Sequence, residues 1–592
     1  MPAYKAPLRD MRYALYDVMG YDDLTKLPGY EDFDRDTVDA VLEEAAKLCE
    51  EVLAPLNSSG DAEGCHYENG VVRTPKGFKE AYDTFRDGGW TSLACAPQYG
   101  GQGMPVSVNA LVEEMICSSN LSFGMYPGLS HGAYKALHAF GSKDLQDAYL
   151  PKMVDGTWSG TMCMTEPHCG TDLGQMRTKA VPQEDGSFRL TGTKIFISAG
   201  EHDLTENIVH LVLAKIPGGP KGTKGVSLFL VPKFLPDAQG RPGERNGVRC
   251  GSIEHKMGIK ASSTCVMNFD DAKGFLVGEE HKGMKAMFTM MNTARLGVGV
   301  QGLGLAEASY QGAVAYAKDR LQGRALSGAK FLEKAADPII VHPDVRRMLL
   351  TQRAYIEGCR ALGMWTAKSI DTYRMHPDPA ERTKADDFVA VITPVIKAFF
   401  TDMGFEATNI GVQVFGGHGY IRDNGMEQFV RDARITQIYE GANGIQGLDL
   451  IGRKMAAHAG RYLRTVFHPI SEYVEANKAK PELADFVGPL QKAFGRLQQA
   501  TMHVARASMA RPDEAGAAST DYLRLFALTV LAFMWARMAE ISLPHADSDP
   551  FHKAKVMTAR FYMERLLPQT GALFSTISAG SKTMMAFEEA AF

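Results

Sequence analysis

Apolar residues recur at helical spacing in the first part of the chain. Behind Asp36, a candidate N-cap, one face of the pattern carries Val38, Val41, Leu42, Ala45, Leu48 and Val52. Similar patterns continue through residues 108–117 and 131–140. The spacing predicts a helical domain over residues 36–158, preceded by an N-terminal extension over residues 1–35.

Between about residues 157 and 280 the pattern changes to short segments that are rich in β-branched and aromatic residues. Turns such as PGGPKG and PDAQGRPGERNG separate these segments. The segments are residues 188–198, 208–216, 226–231 and 265–269. They predict a middle antiparallel β domain over residues 159–280.

Long helical periodicities return after residue 281. They predict a helical bundle over residues 281–467 and an extra C-terminal helical domain over residues 468–592, in which Pro469, Pro481 and Pro512 mark breaks. The fold class is therefore multidomain α+β. The most apolar run, the 12 residues 525–536, is shorter than the roughly 20 residues that span a bilayer. We expect a buried helix there and no membrane span.

Composition and charge exclude several classes of protein. Of the 592 residues, 45% are hydrophobic and 22% are charged, which is typical of a globular chain and excludes disorder. The net charge of -5 does not favour a nucleic acid as partner. Nine cysteines without a CxxC pair indicate reduced thiols, and the N-terminus lacks the apolar core of a signal peptide, so we expect a cytoplasmic protein.

Gly297, Gly299 and Gly302 match the GxGxxG fingerprint of dinucleotide-binding loops. That fingerprint requires a preceding strand, but residues 284–296 have a helical pattern. The glycines therefore predict close packing between helices instead.

A first candidate motif, MTEPHCGTD at residues 164–172, combines two hydroxyls with a tight glycine turn. Such a turn presents side-chain and backbone donors to the polar edge of a cofactor, although an ordinary capped turn has the same residues. His168 with Cys163 and Cys169 also suggests a metal cluster. No second His/Cys pair at zinc spacing supports that alternative, so no metal site is predicted.

A second motif, GTKIFISAG at residues 192–200, reads as an alternating strand that ends in a glycine turn. Alternation places Phe196 and Ser198 on the same face, where a ring and a hydroxyl can cover and hydrogen-bond a planar heterocycle. A core phenylalanine and a turn serine are the competing interpretation.

A third motif consists of QVFGGHGY at residues 413–420 and RDARITQIYEG at residues 431–441. Gly416 and Gly417 would let the backbone approach a phosphate or ribityl chain. Glu440 follows the mainly apolar Ile438-Tyr439 pair, and a carboxylate that faces an apolar cleft has its pKa raised towards that of a useful base. A solvated glutamate at a helix start is the alternative.

The order and spacing of these motifs resemble the acyl-CoA dehydrogenase family over roughly residues 36–467. The shared pattern is TEPxxGTD, GxKxFIS, an arginine-containing helix end, QVFGGHGY and IYEG. The start YKAPLRDMRY and the extra C-terminal domain are similar to a long bacterial branch of the family. The resemblance implies FAD as cofactor and α,β-dehydrogenation of an acyl-CoA thioester to the trans-2-enoyl-CoA. It also implies an electron-transfer flavoprotein as acceptor, and it favours a short or medium acyl group, including a sulfur-containing one.

The resemblance also implies roles for individual residues. Glu440 corresponds to the catalytic base, because the alternative position used in some relatives is Ala294 here. The residues implied to contact the flavin are Met162, Met164, Thr165, Gly170, Thr171, Phe196 and Ser198. Those implied to hold the FAD of a neighbouring subunit, in a homodimer, are Arg320, Gln322, Gln413 and Gly417. Those implied to contact the acyl-CoA are Thr171, Arg295, Glu440 and Gly441.

Two other functions compete with this hypothesis. An acyl-CoA oxidase has the same fold and passes electrons to O2. A non-enzymatic, nucleic-acid-binding relative would need a basic terminal domain. After residue 470 the chain has 13 Lys/Arg and 13 Asp/Glu, and the IYEG motif is intact, so the sequence disfavours that relative.

Overall fold

The computed structural model describes residues 2–592, except for the side chains of Asn292 and Thr293. Its contacts divide the chain into two compact units. The helical unit comprises the chain up to Glu43, Val106–Glu114 and Val298–Phe592. The sheet unit comprises Glu44–Pro105 and Met115–Gly297. The unit boundaries therefore fall within long helices and not only in loops.

The helices and strands are as follows. The helices are α1 (Leu8–Arg12), α2 (Arg35–Lys47), α3 (Pro55–Glu63), α4 (Phe78–Asp87), α5 (Val106–Phe140), α6 (Lys143–Val154), α7 (Gly283–Asp319), α8 (Pro343–Met375), α9 (Pro379–Phe415), α10 (Gly417–Tyr420), α11 (Met426–Arg434), α12 (Asn443–Asp449), α13 (Arg461–Asn477), α14 (Ala484–Ala510), α15 (Asp513–Ser542), α16 (Pro550–Phe561), α17 (Gln569–Ala579) and α18 (Lys582–Met585). The strands are β1 (His66–Glu68), β2 (Val71–Arg73), β3 (Trp158–Cys163), β4 (Lys179–Pro182), β5 (Phe188–Ser198), β6 (Asn207–Lys215), β7 (Val226–Pro232), β8 (Phe234–Pro236), β9 (Pro242–Arg245), β10 (Val248–Ile253) and β11 (Thr264–Val277).

The main sheet of the sheet unit has the strand order β10-β11-β5-β4-β6-β3, and β7 pairs with both β11 and β6. The strands β11, β5, β4, β6 and β7 therefore form a closed ring. Most pairs are antiparallel, as the sequence predicts, but β3 runs parallel to β6 and β4 meets β6 in parallel at Lys179 and Lys215. The purely antiparallel prediction is wrong in this respect. A long crossover through β4 and β5 separates β3 from β6 and allows the parallel pairing.

Strand β6 shows why this sheet lacks a simple alternating pattern. Its residues are buried along nearly the whole strand. Leu211 and Leu213 belong to the core that includes helical residues such as Leu137 and Met287. Val212 and Ala214 point into a second core, with Phe229 and Phe269. A strand that is covered on both faces becomes a continuous apolar run.

The helical unit contains two helices that are long and apolar enough to cross a membrane by length and composition. They cover Pro379–Phe415 and Asp513–His545, and 78% and 83% of their most apolar windows are buried in the protein. Residues 525–536 are buried throughout, which is the buried helix that the sequence predicts. These helices therefore form part of the core.

Two local predictions in the helical unit are wrong. The helix α2 begins at Arg35, and the carboxylate of Asp34, not Asp36, accepts the N–H of Thr37 (2.9 Å). Pro469 does not break the chain but lies inside α13. The buried face of α13, which includes Val466 and Ile470, outweighs the one hydrogen bond that a proline removes.

The GxGxxG residues lie inside α7, so the dinucleotide-loop interpretation is wrong and the helix-packing interpretation is confirmed. A Cβ added to Gly302 would lie 2.7 Å from the carbonyl oxygen of Phe400 on α9. One added to Gly299 would lie 2.6 Å from a methyl group of Ile396. Gly299 and Gly302 therefore set the distance between α7 and α9.

This packing gives a matched pair of substitutions on one helix. Gly302→Ala should lower the free energy of unfolding by about 1–3 kcal/mol, because the backbone of α9 cannot move away locally. Gly297→Ala should raise it by about 0.5–1 kcal/mol, because nothing lies within 4 Å of an added Cβ and alanine favours the helix. Denaturant unfolding followed by helical circular dichroism measures both values. Equal changes of the same sign would contradict the packing argument.

Candidate active site

The first motif forms a loop at the end of β3 in the sheet unit. Hydrogen bonds between Glu166 and Cys169, in both directions, close the turn (2.9 and 3.0 Å). Of the residues implied to contact the flavin, Met162 packs in the core of the unit and Met164 and Thr165 are half-buried, whereas Gly170 and Thr171 are exposed. The loop therefore exposes Gly170 and Thr171 at its turn, while the strand end that carries it, at Met162, is buried.

The second motif lies on β5 and carries an irregularity at its aromatic residue. The pairing with β11 shifts register between Lys194 and Ile197, and Phe196 adopts a left-handed backbone conformation (φ 59°). The Phe196 side chain is 59% exposed, Ser198 is half-buried, and Ile197 between them is buried. A large exposed ring on a strained bulge is unusual unless something covers it. The face of a planar heterocycle fits this position.

Lys194 and Ile195 of β5, to which the sequence analysis gave no role, connect the two motifs through hydrogen bonds. The buried ammonium group of Lys194 donates to the carbonyl of Met164 (3.0 Å) and to the carboxylate of Glu166 (2.9 Å). The N–H of Ile195 donates to the carbonyl of Thr165 (2.9 Å). A buried lysine needs such partners, but the mixed sequence of β5, with Arg189, Thr191 and Thr193 before it, does not show that Lys194 is buried.

The structure brings together Glu166, His168 and Cys169, not Cys163, as potential metal ligands within 4.8 Å of one another. The carboxylate of Glu166 already accepts two backbone N–H groups, a threonine hydroxyl and the ammonium group of Lys194. His168 donates from Nε2 to the carbonyl of Gln175 (3.0 Å). The Glu166 carboxylate and Nε2 of His168 are therefore already bonded to protein partners.

In the helical unit, the end of α7 packs against the QVFGGHGY turn. The ring of Tyr316 stacks on Phe415 with centroids 4.1 Å apart, and its hydroxyl hydrogen-bonds Nδ1 of His418 (2.7 Å). Between them, Gly416 has a φ of 60°, and a Cβ added to Gly416 or Gly417 would meet nothing within 4 Å. The turn therefore leaves its backbone open to a ligand.

The loop after α7 carries Arg320 and Gln322, and both residues are exposed. Because Tyr316 near the end of α7 stacks on Phe415, this loop begins beside the turn that carries Gln413 and Gly417. This loop is organised by Asp337, which the sequence analysis missed. Three loop amides donate to the Asp337 carboxylate: those of Ala325 (2.9 Å), Phe331 (2.8 Å) and Lys330 (3.1 Å). Burial alone would raise the pKa of Asp337, but these donors and Arg324 lower it to about 2. The segment that follows Arg320 is therefore folded around the Asp337 carboxylate.

Glu440 lies in the turn between α11 and α12, and it is half-buried. Its φ is 56°, a left-handed conformation that is strained for a residue with a side chain, and Gly441 follows with a φ of 87°. Gln446, fully buried on α12, donates from Nε2 to the carbonyls of Glu440 (3.2 Å) and Gly441 (3.1 Å). These two bonds hold the strained turn.

Arg295 belongs to the sheet unit, on α7, and is buried.

Comparison with known proteins identifies the class to which these features belong. Models of the acyl-CoA dehydrogenase N-terminal domain, middle domain and C-terminal domain match residues 35–157, 161–272 and 281–456. A model described as acetyl-CoA dehydrogenase C-terminal like matches residues 466–588. The chain belongs to the acyl-CoA dehydrogenase family.

Individual relatives extend over the whole chain. It is 42% identical to 3-methylmercaptopropionyl-CoA dehydrogenase of Ruegeria pomeroyi, over 97% of this chain and 98% of the relative. It is 34% identical to a butyryl-CoA dehydrogenase of Syntrophomonas wolfei subsp. wolfei, over 97% and 96%. The structure of an acyl-CoA dehydrogenase complexed with FAD from Bacillus anthracis has a TM-score of 0.73 at 21% identity, over 96% of this chain and 91% of that one. The chain is thus an acyl-CoA dehydrogenase with the fold that the sequence predicts.

Proposed function

We propose that this dehydrogenase acts on short, unbranched acyl-CoA thioesters and prefers 3-methylmercaptopropionyl-CoA. The observation that carries the proposal is the 42% identity, over essentially the whole of both chains, to a relative named for that substrate. The butyryl-CoA dehydrogenase at 34% identity also takes its name from a short, unbranched acyl group. Both relatives align with this chain through the extra C-terminal helices as well. The matches to the three dehydrogenase domains end at residue 456 and do not include those helices.

Glu440 is the proposed base that removes the α-proton of the thioester. Gln446 fixes the left-handed turn on which the carboxylate stands, so that Glu440 need not reorganise to react. The backbone N–H of Glu440 would donate to the thioester carbonyl and stabilise the developing negative charge. Bound FAD supplies the acceptor for the hydride that leaves the β-carbon. Thr165, Thr171 and Ser198 offer hydroxyl donors to its polar edge, and the exposed ring of Phe196 offers a face to cover it.

The substrate proposal is tested by turnover with a dye as electron acceptor. Purified enzyme and ferrocenium should oxidise 3-methylmercaptopropionyl-CoA and butyryl-CoA with a higher kcat/KM than octanoyl-CoA or isobutyryl-CoA. A preference for the long or the branched thioester would refute it. Oxygen uptake without an added acceptor would identify an oxidase, whereas reoxidation by an electron-transfer flavoprotein would support that protein as the physiological partner.

A homodimer in which each subunit completes its partner's FAD site is the proposed assembly. Arg320 and Gln322 extend on an exposed loop whose Leu326 and Leu332 are 94% and 83% exposed. Apolar side chains so exposed, next to a cation, fit a surface that another subunit covers. Light scattering should show dimers or larger assemblies in the active, FAD-loaded enzyme. An active FAD-loaded monomer would refute the shared site.

Removal of the Arg320 guanidinium should weaken FAD binding. Arg320→Ala should raise the dissociation constant for FAD about 10- to 100-fold, because a charge-assisted hydrogen bond to the pyrophosphate contributes about 1.5–3 kcal/mol. Lys318→Ala, which removes an exposed cation two residues earlier, at the end of α7, is the matched control and should bind FAD normally. Flavin fluorescence titration of the apoproteins gives both constants. Equal affinities in the two variants would remove Arg320 from the site.

A further inference from the structure

The buried ion pair Lys194–Glu166 lies at the junction of the two cofactor motifs of the sheet unit. Lys194 is 0% exposed and Glu166 is 3% exposed. Burial lowers the pKa of Lys194, which means that keeping its ammonium group charged inside the sheet costs free energy of desolvation. Replacing a buried ion pair with apolar side chains of similar volume is often neutral or stabilising. Stability alone therefore does not explain why this pair is built into the fold.

Glu166 is fixed from several directions. Its carboxylate accepts the N–H of Arg177 (2.7 Å), the N–H of Thr178 (3.0 Å) and the hydroxyl of Thr178 (2.6 Å). Burial alone would raise the pKa of Glu166, but Lys194 and these donors lower it to about 2. The carboxylate is therefore charged and immobile at neutral pH.

Lys194 connects the fixed carboxylate of Glu166 to both motifs. Besides Glu166, its ammonium group holds the carbonyl of Met164, in the loop that carries Thr165. On its own strand, Phe196 follows two residues later on the strained bulge. The pair thus sets the distance and angle between the hydroxyl-bearing loop and the exposed ring.

We propose that Lys194 and Glu166 are positioning residues for FAD, which act by fixing the Met164–Thr165 loop against the Phe196–Ser198 bulge. Neither side chain touches the cofactor, since both are buried. This inference rests on the assignment of those two segments as flavin contacts. It assigns a function to two charged residues of the motifs that the catalytic proposal does not use.

The test separates positioning from folding. Lys194→Met should raise the FAD dissociation constant about tenfold or more, as the loss of a supporting partner typically does, and should shift the visible absorption bands of the bound flavin. It should also lower the melting temperature of the apoprotein, because Glu166 loses its buried cation. The double variant Lys194→Met/Glu166→Gln should recover much of the melting temperature, since no unpaired charge remains. Its FAD affinity should stay low, since the geometry is not restored.

Asn246→Ala provides the control for stability. Asn246 is a buried residue of the same unit whose amide makes four hydrogen bonds with the backbone of Pro232, Gly247 and Lys273, outside both motifs. This variant should lower the melting temperature of the apoprotein but bind FAD as the wild type does at a temperature where it is folded. An FAD affinity that follows the melting temperature equally in both variants would overturn the proposal.

Three further outcomes are decisive. If Lys194→Met yields no folded protein, Glu166→Gln, which keeps the size of the side chain, is measured instead, and wild-type FAD affinity and absorption bands in it would overturn the proposal. If all variants bind FAD like the wild type while the wild type oxidises acyl-CoA, the positioning role fails and the enzymatic function stands. If the wild type binds FAD but oxidises no acyl-CoA, the proposed function fails independently.

Discussion

Glu440→Gln should strongly slow the reduction of the flavin by an acyl-CoA substrate. Glutamine keeps the size of the side chain and the backbone turn but cannot accept the α-proton. Loss of general-base catalysis should slow the reductive step by about 10²–10⁴-fold. Rapid mixing of enzyme and substrate without oxygen, followed by absorbance of the oxidised flavin near its visible maximum, measures this rate directly.

Binding should survive the same substitution. The substrate should still perturb the flavin spectrum of Glu440→Gln, because glutamine keeps the size and hydrogen-bonding capacity of the side chain. Glu427→Gln is the control: it removes a glutamate of α11 that pairs with Arg431 and should leave the reductive rate near that of the wild type. Flavin bleaching at the wild-type rate in Glu440→Gln would show that another group is the base.

Arg360→Met should destabilise the helical unit by about 3–5 kcal/mol. The guanidinium of Arg360 is 1% exposed and bonds Glu114 (3.0 Å), Glu307 (2.7 Å) and Asp10. Lys555 is the second buried cation, bonded to Asp10 and to Glu357 (2.7 Å). Methionine would leave three buried carboxylates with this one cation, and the penalty for an uncompensated buried charge far exceeds that of losing a surface pair.

The pKa shifts in this cluster show how strongly the charges interact. Burial alone would raise the pKa of Asp10, but Lys555 and Arg360 lower it below its usual value. Burial raises the pKa of Glu114 even though Arg360 opposes the change. The N-terminal extension is therefore attached to α8 and α16 through Asp10, and its release should accompany the loss of stability.

An exposed arginine on the same helix provides the control. Arg347 pairs with Asp344 at the surface (2.8 Å), so Arg347→Met should change the free energy of unfolding by less than about 1 kcal/mol. Guanidinium chloride unfolding, followed by helical circular dichroism, compares the two variants. Midpoints that shift equally would mean that the buried cluster contributes nothing beyond a surface ion pair.

The sequence predicted the architecture well wherever periodicity was strong. The helical runs, the buried segment 525–536 and β5 follow from spacing and composition alone. The parallel pairing of β3 with β6 did not, because a strand buried on both faces has no alternation that reveals its direction or partner. Pro469 was misread because a buried apolar face outweighs the loss of one hydrogen bond.

The candidate site was predictable to the extent that its chemistry lies in short motifs. Glu440, Phe196 and Gly417 were predicted as site residues because their motifs, taken together and in order, resemble the family, whereas each motif alone left an ordinary structural interpretation open. Lys194, Asp337 and Gln446 did not, because their function depends on partners distant in sequence or on backbone carbonyls, which only coordinates show. Sequence motifs therefore point to candidate ligand-contacting groups more readily than to the groups that hold those candidates in place.

Mass spectrometry of the acyl-CoA product tests the central claim most directly. Purified holoenzyme with ferrocenium should convert 3-methylmercaptopropionyl-CoA into a thioester lighter by two hydrogen atoms. Substrate deuterated at the α-carbon should lose one deuteron to solvent in the process, since a base removes it. Without ferrocenium and oxygen, the yield should not exceed the amount of bound flavin. An unchanged thioester mass from an enzyme that retains FAD would contradict the assigned reaction on this substrate.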